Sequence, residues 1–504
     1  MRPIKTQTMY RIYIILALLS LPLGSIYGRT ISLKSNIPIE KQLVYPNTMY
    51  VVNSSIDCGG KVIEMPANCV LNIKSGALRN GSISGNKTKL NTCSDKGIAV
   101  ILKGSWLAPV INDLFFDSSV LTDDQIIGNI NTLQSDDISN SIIIGTKDYH
   151  CTITKLNGAA LVLRSNTKCI LKSIITLLPC AFPNYQIVQI YDVHDVEFKG
   201  GKIVGDLLDH PYTSGSSHEW GHGISIKNAQ RIKVTSVFVT HCIGDGIVVG
   251  GWQEPNTNVY DKAAKQVRLE NIVSDDNRRQ AMTISHADGV VVNNCRLTNT
   301  GKTKFTAPSA GLDIEPNSEA PWNQGVKNVL IENCFFAGNK YRQFLSHGYL
   351  NSGDEDNIQN VTVKGCTFEG NCDVHTGGIT FVSSTMESAT FRGGRDKIRR
   401  VDFNGCTFTG EKPLMFQGTM YKNDKGKPAG GDFGIISLKK CVIYSRKSKE
   451  ALLSSNSSEI GELNDLVLDN CTIINDKETN NRSIVSRKFK GRVIENNSRR
   501  IPRK

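Results

Sequence analysis

Two stretches of one form, Val290-Val-Val-Asn-Asn-Cys-Arg-Leu297 and Val329-Leu-Ile-Glu-Asn-Cys-Phe-Phe336, decide how this chain is read. Each runs apolar-x-apolar-x-x-Cys-x-apolar, and apolar residues at alternate positions mark a strand with one buried face. The form returns at Val361, Val363, Cys366, Phe368, at Val401, Phe403, Cys406, Phe408, at Ile436, Leu438, Cys441, Ile443 and at Leu466, Leu468, Cys471, Ile473. Earlier copies carry Gly201, Val237 and Ile272 in place of Cys. A position that accepts Gly, Val or Ile wants a small or apolar buried group, not a bridge partner. Stacked copies place the sulfurs in one interior column, where free Cys behaves as a small hydrophobe. These cysteines are therefore expected reduced, although fourteen cysteines in an exported chain would ordinarily suggest disulfides. Serine at such a site is expected to destabilise through an unpaired hydroxyl.

Copies recur 23 to 40 residues apart. Strands of a second kind fall between them: Gly223-Ile-Ser-Ile226, Gly246-Ile-Val-Val249, Ala281-Met-Thr-Ile284 and Gly311-Leu-Asp-Ile314, continuing as Phe344-Leu-Ser-His347 and Gly378-Ile-Thr-Phe381. Two strands alternating per coil, with irregular loops between, predict an all-β parallel solenoid. Before it, Thr122-Asp-Asp-Gln125 offers a capping box for a short helix near 122–134, whose apolar face would cover the open end of the stack. Residues 29–110 are β-rich, 111–485 form the solenoid, and the basic 486–504 reads as a fraying tail.

Residues 1–28 read as a secretory signal peptide, with Arg2, Lys5 and Arg11 before the apolar run Ile12 to Leu23 and small residues after it. That run is short for a membrane span, and no later segment offers one. The protein is expected to be secreted, periplasmic or at the cell surface. The net charge of +12 is scattered, which argues against nucleic acid and leaves an acidic polysaccharide as the better electrostatic partner.

The coil pattern, the helix at Thr122-Asp-Asp-Gln125 and the entry Gly200-Gly-Lys-Ile-Val-Gly205 resemble the right-handed parallel β-helix group of pectate-lyase-like proteins and polygalacturonases. The resemblance covers about residues 111–485 and implies polysaccharide chemistry in general. Gly244-Asp-Gly246, Gly221-His-Gly223 and Arg231-Ile-Lys233 echo polygalacturonase motifs, but in the wrong order and spacing, so no catalytic role transfers.

Candidate catalytic residues come from the strands themselves. Stacking of the second kind of strand makes an outward ladder of Ser225, Val248, Thr283 and Asp313, with Glu315 one pleat further and Asp245 just before its strand. Outward carboxylates at i and i+2 repel unless a cation, a sugar or a proton intervenes. Asp245, Asp313 and Glu315 are therefore the expected catalytic acids of a glycoside hydrolase, one of them holding a proton. Substrate binding is assigned to His222, Lys227, Trp220, Trp252, Arg278, Arg279, His286, Trp322 and Arg342: indoles for sugar faces, basic groups for acidic substituents. Hydrolysis needs no metal or cofactor. The resemblance to pectate-lyase-like enzymes implies the alternative, with calcium on Asp313 and Glu315 and Arg342 taking the C5 proton. A third reading is a non-catalytic glycan-binding or adhesive solenoid.

Overall fold

The computed structural model describes residues 28–92, 94–252, 262–317, 324–347, 357–392, 400–417, 433–445, 453–455, 463–475 and 491–502. Residues 1–27 of the expected signal peptide, Trp322 and Cys93 lie outside them. The chain divides into two compact units at residue 138, not at 110. In the first, parallel pairing begins with Arg29–Ser32 on Thr48–Val52 and builds a sheet of seven strands. The helix Asp123–Leu133 belongs to this unit. Thr122 and Gln125 form the expected capping box, and Ile126, Ile127, Ile130 and Leu133 are buried. Asn129 on the same helix reaches the strand Ile98–Leu107, accepting the Leu102 N–H (2.8 Å) and donating to the Val100 carbonyl (2.9 Å). That strand is the surface the helix covers.

The second unit is a right-handed parallel β-helix. Most described coils carry three strands, not the two expected, as in Ala264–Glu270, Val273–Asp275 and Gln280–Ile284, while in two coils the second and third run together as Thr367–Val374 and Thr385–Arg392. The separate middle strands are only two to four residues long, too short to announce themselves by alternation. All three strands of the coil that begins at Ala264 pair in parallel with their counterparts in the next coil, Ala287–Asn293, Arg296–Thr298 and Ala310–Ile314. Between the first and second strands the chain turns through one left-handed residue directly before the Cys position: Asn294, Asn333, Gly365, Lys440 and Asn470 all have φ between 53° and 62°. Asn and Gly tolerate this conformation best, which explains their frequency there.

The cysteine column is as expected. Among the described residues, every cysteine is free and buried. The Cys295 N–H points at Cys334 Sγ and the Cys334 N–H at Cys366 Sγ, each at 3.5 Å. Ser384 continues the column by accepting the Cys366 N–H at 3.2 Å, and Ser498 accepts that of Cys471 at 3.1 Å. Ser384 Oγ donates back to the Val382 carbonyl at 3.1 Å, as Cys334 Sγ does to Glu332 at 3.2 Å. A serine here is thus fully bonded, and the expected unpaired hydroxyl does not arise.

Two further expectations change. Gly378-Ile-Thr-Phe381 is not a strand of the second kind: Ile379–Val382 pairs with Ile358–Lys364 and Arg400–Asn404, both of the Cys-bearing sheet. Its coil carries Ser where the pattern sought Cys, which hid the copy. The tail is also structured from 491. Arg492–Asn496 and Arg499–Pro502 pair with the preceding coil, and Arg492 Nε meets Asp465 Oδ1 at 2.8 Å.

Candidate active site

The outward ladder forms in the expected register, Ser225 beside Val248, Thr283 and Asp313, and the next coil adds Leu345. The column one pleat further brings Glu315 beside His347, since the His347 N–H bonds the Ile314 carbonyl at 3.0 Å. Outward on the pleat does not mean exposed. Asp313 is 0% exposed because two side chains cover it. Gln280 Nε2 donates to Asp313 Oδ2 at 2.5 Å, and His347 Nδ1 lies 3.4 Å from Oδ1.

Arg279 is the hub. Its Nη1 reaches Asp245 Oδ2 at 3.2 Å, its Nη2 reaches Glu315 Oε2 at 2.9 Å, and its Nε lies 3.9 Å from Glu219 Oε2. Asp245 also accepts from Thr283 Oγ1 at 2.9 Å. Glu315 Oε1 meets His347 Nε2 at 3.1 Å. The guanidinium carbon stands 5.8 Å from the Trp220 ring, which is half exposed. Of the three expected catalytic acids, only Glu315 keeps substantial solvent access, at 26% of its side chain.

The charges separate. Burial pushes Asp245 up to about 7, although Arg279 and Thr283 pull the other way. Burial also raises Asp313, against His347. Glu315 runs opposite: burial acts to raise it, but His347 and Arg279 outweigh that and bring it down to about 2. His347 rises to about 10, because Asp313 and Glu315 overcome its burial. Near neutrality the site therefore holds a half-protonated Asp245, an ionised Glu315 and a cationic His347.

The remaining expected residues divide by where their polar atoms go. His222 is buried and its Nδ1 accepts the Asp245 N–H at 3.1 Å, so it is neutral with the proton on Nε2. His286 is buried too, accepting the Gly325 N–H at 3.2 Å. In each, one ring nitrogen is taken by a backbone N–H. Arg278 donates to the carbonyls of Ser217 (3.0 Å) and His218 (2.8 Å) and lies over the Tyr212 ring. Arg342 Nε bonds Asp373 Oδ2 at 2.5 Å. Arg279 is consumed by the acids it was expected to complement. Arginine in a β-helix groove is thus chiefly internal glue here, because a buried carboxylate needs a partner. Trp220 and Trp252 are exposed, and Lys227 lies beside Trp252.

Sequence reasoning missed Glu219, Gln280 and the bridging part of His347. Glu219 carried one signal, its place next to Trp220. It accepts from Thr306 Oγ1 at 3.0 Å and is 26% exposed. The loop before it is tied down by a buried wire. The Thr213 N–H donates to His218 Nε2 (3.2 Å), which puts the His218 proton on Nδ1; that donates to His210 Nε2 (2.8 Å), and His210 Nδ1–H donates to Asp206 (2.7 Å).

No protein-family profile matches the chain. Two curated relatives share part of it: the uncharacterized protein YclG of Bacillus subtilis, 27% identical over 209 residues (40% of this chain, 36% of the relative), and the SPbeta prophage-derived uncharacterized protein YorA, 25% identical over 239 residues (44% and 40%). The matched segments span well under half of those relatives. Among solved structures, the chain is similar to the A-module of the Azotobacter vinelandii mannuronan C-5 epimerase AlgE6 (TM-score 0.45, 10% identity, 73% of this chain and 92% of that one). It is also similar to the tailspike of E. coli bacteriophage HK620 solved with a pentasaccharide (TM-score 0.49, 13% identity, 77% and 70%). Among the described residues, no helix is long and apolar enough to cross a membrane.

Proposed function

We propose that this β-helix is an exported glycoside hydrolase that cleaves a polysaccharide over Arg279. One observation carries the reading: a single guanidinium holds two carboxylates whose proton affinities are driven apart, Asp245 at about 7 and Glu315 at about 2. Separation of that kind assigns an acid and a base. Asp245 is buried in the free protein, so as general acid it must be reached by substrate on binding; it then donates its proton to the glycosidic oxygen as the bond to the leaving sugar breaks. Glu315, ionised and open to solvent, takes a proton from the attacking water. Two N–O contacts across one guanidinium fork keep the nearest carboxylate oxygens within about 8 Å at most, a bound that admits both the roughly 5–5.5 Å of retaining enzymes and the lower end of the roughly 6.5–9.5 Å of inverting ones. Asp313 touches no substrate; it holds His347, which holds Glu315. Trp220 offers its exposed ring to a sugar face.

Elimination with calcium is the weaker reading. Asp313, Glu315 and His347 do bring ligand atoms within 4.8 Å of one another. Calcium, however, takes about six to eight oxygens, and this set supplies two carboxylates and an imidazole. Arg279 already neutralises Glu315, and Arg342, the expected base, is engaged by Asp373. The donor set does not fit calcium.

The test is digestion of a polysaccharide panel with a chelator present. New reducing ends without an unsaturated ultraviolet chromophore support hydrolysis. Activity that needs calcium and generates the chromophore contradicts it.

A further inference from the structure

The expected cationic surface of the groove is nearly all used up by the protein itself. Arg279 is held by Asp245 and Glu315, Arg278 by backbone carbonyls, Arg342 by Asp373. Lys304 Nζ donates to the carbonyls of Leu207 (3.0 Å) and Leu208 (2.9 Å). Lys227 is different. Its ammonium lies 5.0 Å from the Trp252 ring and 5.6 Å from the Tyr191 ring, and among the described residues it makes no ion pair or hydrogen bond. The two rings meet edge to face at 5.3 Å and are anchored independently, Tyr191 by Ser225 (2.8 Å) and Trp252 by Asp192 (3.1 Å). A half-buried ammonium in an aromatic corner, with no acceptor among the described residues, suits an anionic ligand group.

Its position fits the groove. Lys227 pairs with Gly250, the Ser285 N–H bonds the carbonyl before Gly250, and the Glu315 N–H bonds the carbonyl before Ser285. Lys227, Gly250, Ser285 and Glu315 thus occupy one column on successive coils, about 14 Å from end to end. Two small residues lie between Lys227 and the base. That span suits a saccharide chain of two or three units along the column.

We propose that Lys227 recognises an anionic substituent, a carboxylate or a sulfate ester, on a sugar packed against Trp252 two to three units from the cleavage point. The substrate is then an acidic polysaccharide. This deepens the hydrolase reading by naming the class of its substrate, and it rests on that reading only for the direction of the groove.

The test uses the full chain on immobilised oligosaccharides in three arms: uronic-acid oligomers, the same oligomers after carboxyl reduction, and sulfated neutral oligomers. Binding to an acidic arm, at least tenfold weaker to its neutral counterpart, is expected. Lys227→Met should lose that discrimination and Lys227→Arg should keep most of it, with unchanged thermal unfolding showing that both fold. A response confined to the uronic or the sulfated arm identifies the anion. Equal binding of charged and neutral forms, or full discrimination in Lys227→Met, overturns the proposal. Discrimination between the arms is read from binding alone, whereas the hydrolase reading is tested by loss of reducing-end release in Glu315→Gln, so either can fail without the other.

Discussion

At the scale of single residues, Arg279 is the side chain whose removal should do most damage. Arg279→Ala leaves Asp245 and Glu315 without their shared cation, in a site where an uncompensated buried charge costs about 3–5 kcal/mol. Glu315→Gln and Asp245→Asn are cleaner, since each keeps shape and one accepting oxygen, although the amide NH2 that Glu315→Gln introduces gives up the bond from either Arg279 or His347. Both should lower kcat by about 10²–10⁴-fold while leaving glycan binding nearly intact. Glu219→Gln should lower it far less; if instead it matches that loss and Asp245→Asn stays active, Glu219 is the acid. The pH profile follows from the same groups. Activity should fall as pH rises through about 7, where Asp245 loses its proton, and should persist well into the acid range because Glu315 stays ionised. Stability behaves otherwise. Burial takes His286 down to about 4, so between pH 6.5 and 4 the unfolded chain binds a proton that the folded chain refuses. Its stabilising contribution is present above pH 6.5 and lost on acidification, by roughly 3 kcal/mol at pH 4. His347 has the opposite sign: its contribution is complete below pH 6.5 and is lost as pH rises through about 10. Thermal unfolding across pH should show the acid loss shrink in His286→Gln and the alkaline loss shrink in His347→Gln.

At the scale of the element, the coil was legible because its constraints are local. Alternation of Val290 and Val292 with Cys295 and Leu297 follows from a buried face and a turn of fixed length. The short middle strands were not legible, because alternation needs more length than Arg296–Thr298 provides. The site was half legible. The pleat placed Asp313 and Glu315 outward, but what covers them comes from other coils: Arg279 from one strand start and His347 from the next coil. No spacing rule links those positions. The column also corrects what serine should do. Cys334→Ser should change stability by no more than about 1 kcal/mol, because Ser384 and Ser498 already bond in that place, whereas Cys334→Ala leaves the Cys295 N–H without an acceptor and should cost about 1–3 kcal/mol. Denaturant unfolding of the pair measures this, and thiol titration of Cys334, Cys366, Cys406, Cys441 and Cys471 should proceed only after unfolding. Asn333 tests the turn. With φ at 56°, Asn333→Val should destabilise by about 1–2 kcal/mol while Asn333→Gly is tolerated.

At the scale of the whole molecule, the β-helix is a ruler that sets charged groups one coil apart, and neighbouring coils settle which of them remain charged. The solenoid and the cysteine column were readable from the sequence; the arginines were misread because buried acids draw their own cations before any ligand arrives. The most direct measurement is reducing-end release from an acidic polysaccharide in the presence of chelator, followed by ultraviolet absorbance of the products, for the parent protein and Glu315→Gln. The account predicts reducing ends from the parent, none above background from the variant, and no chromophore from either. Release that stops with chelator and carries the chromophore, or a fully active Glu315→Gln, would contradict it.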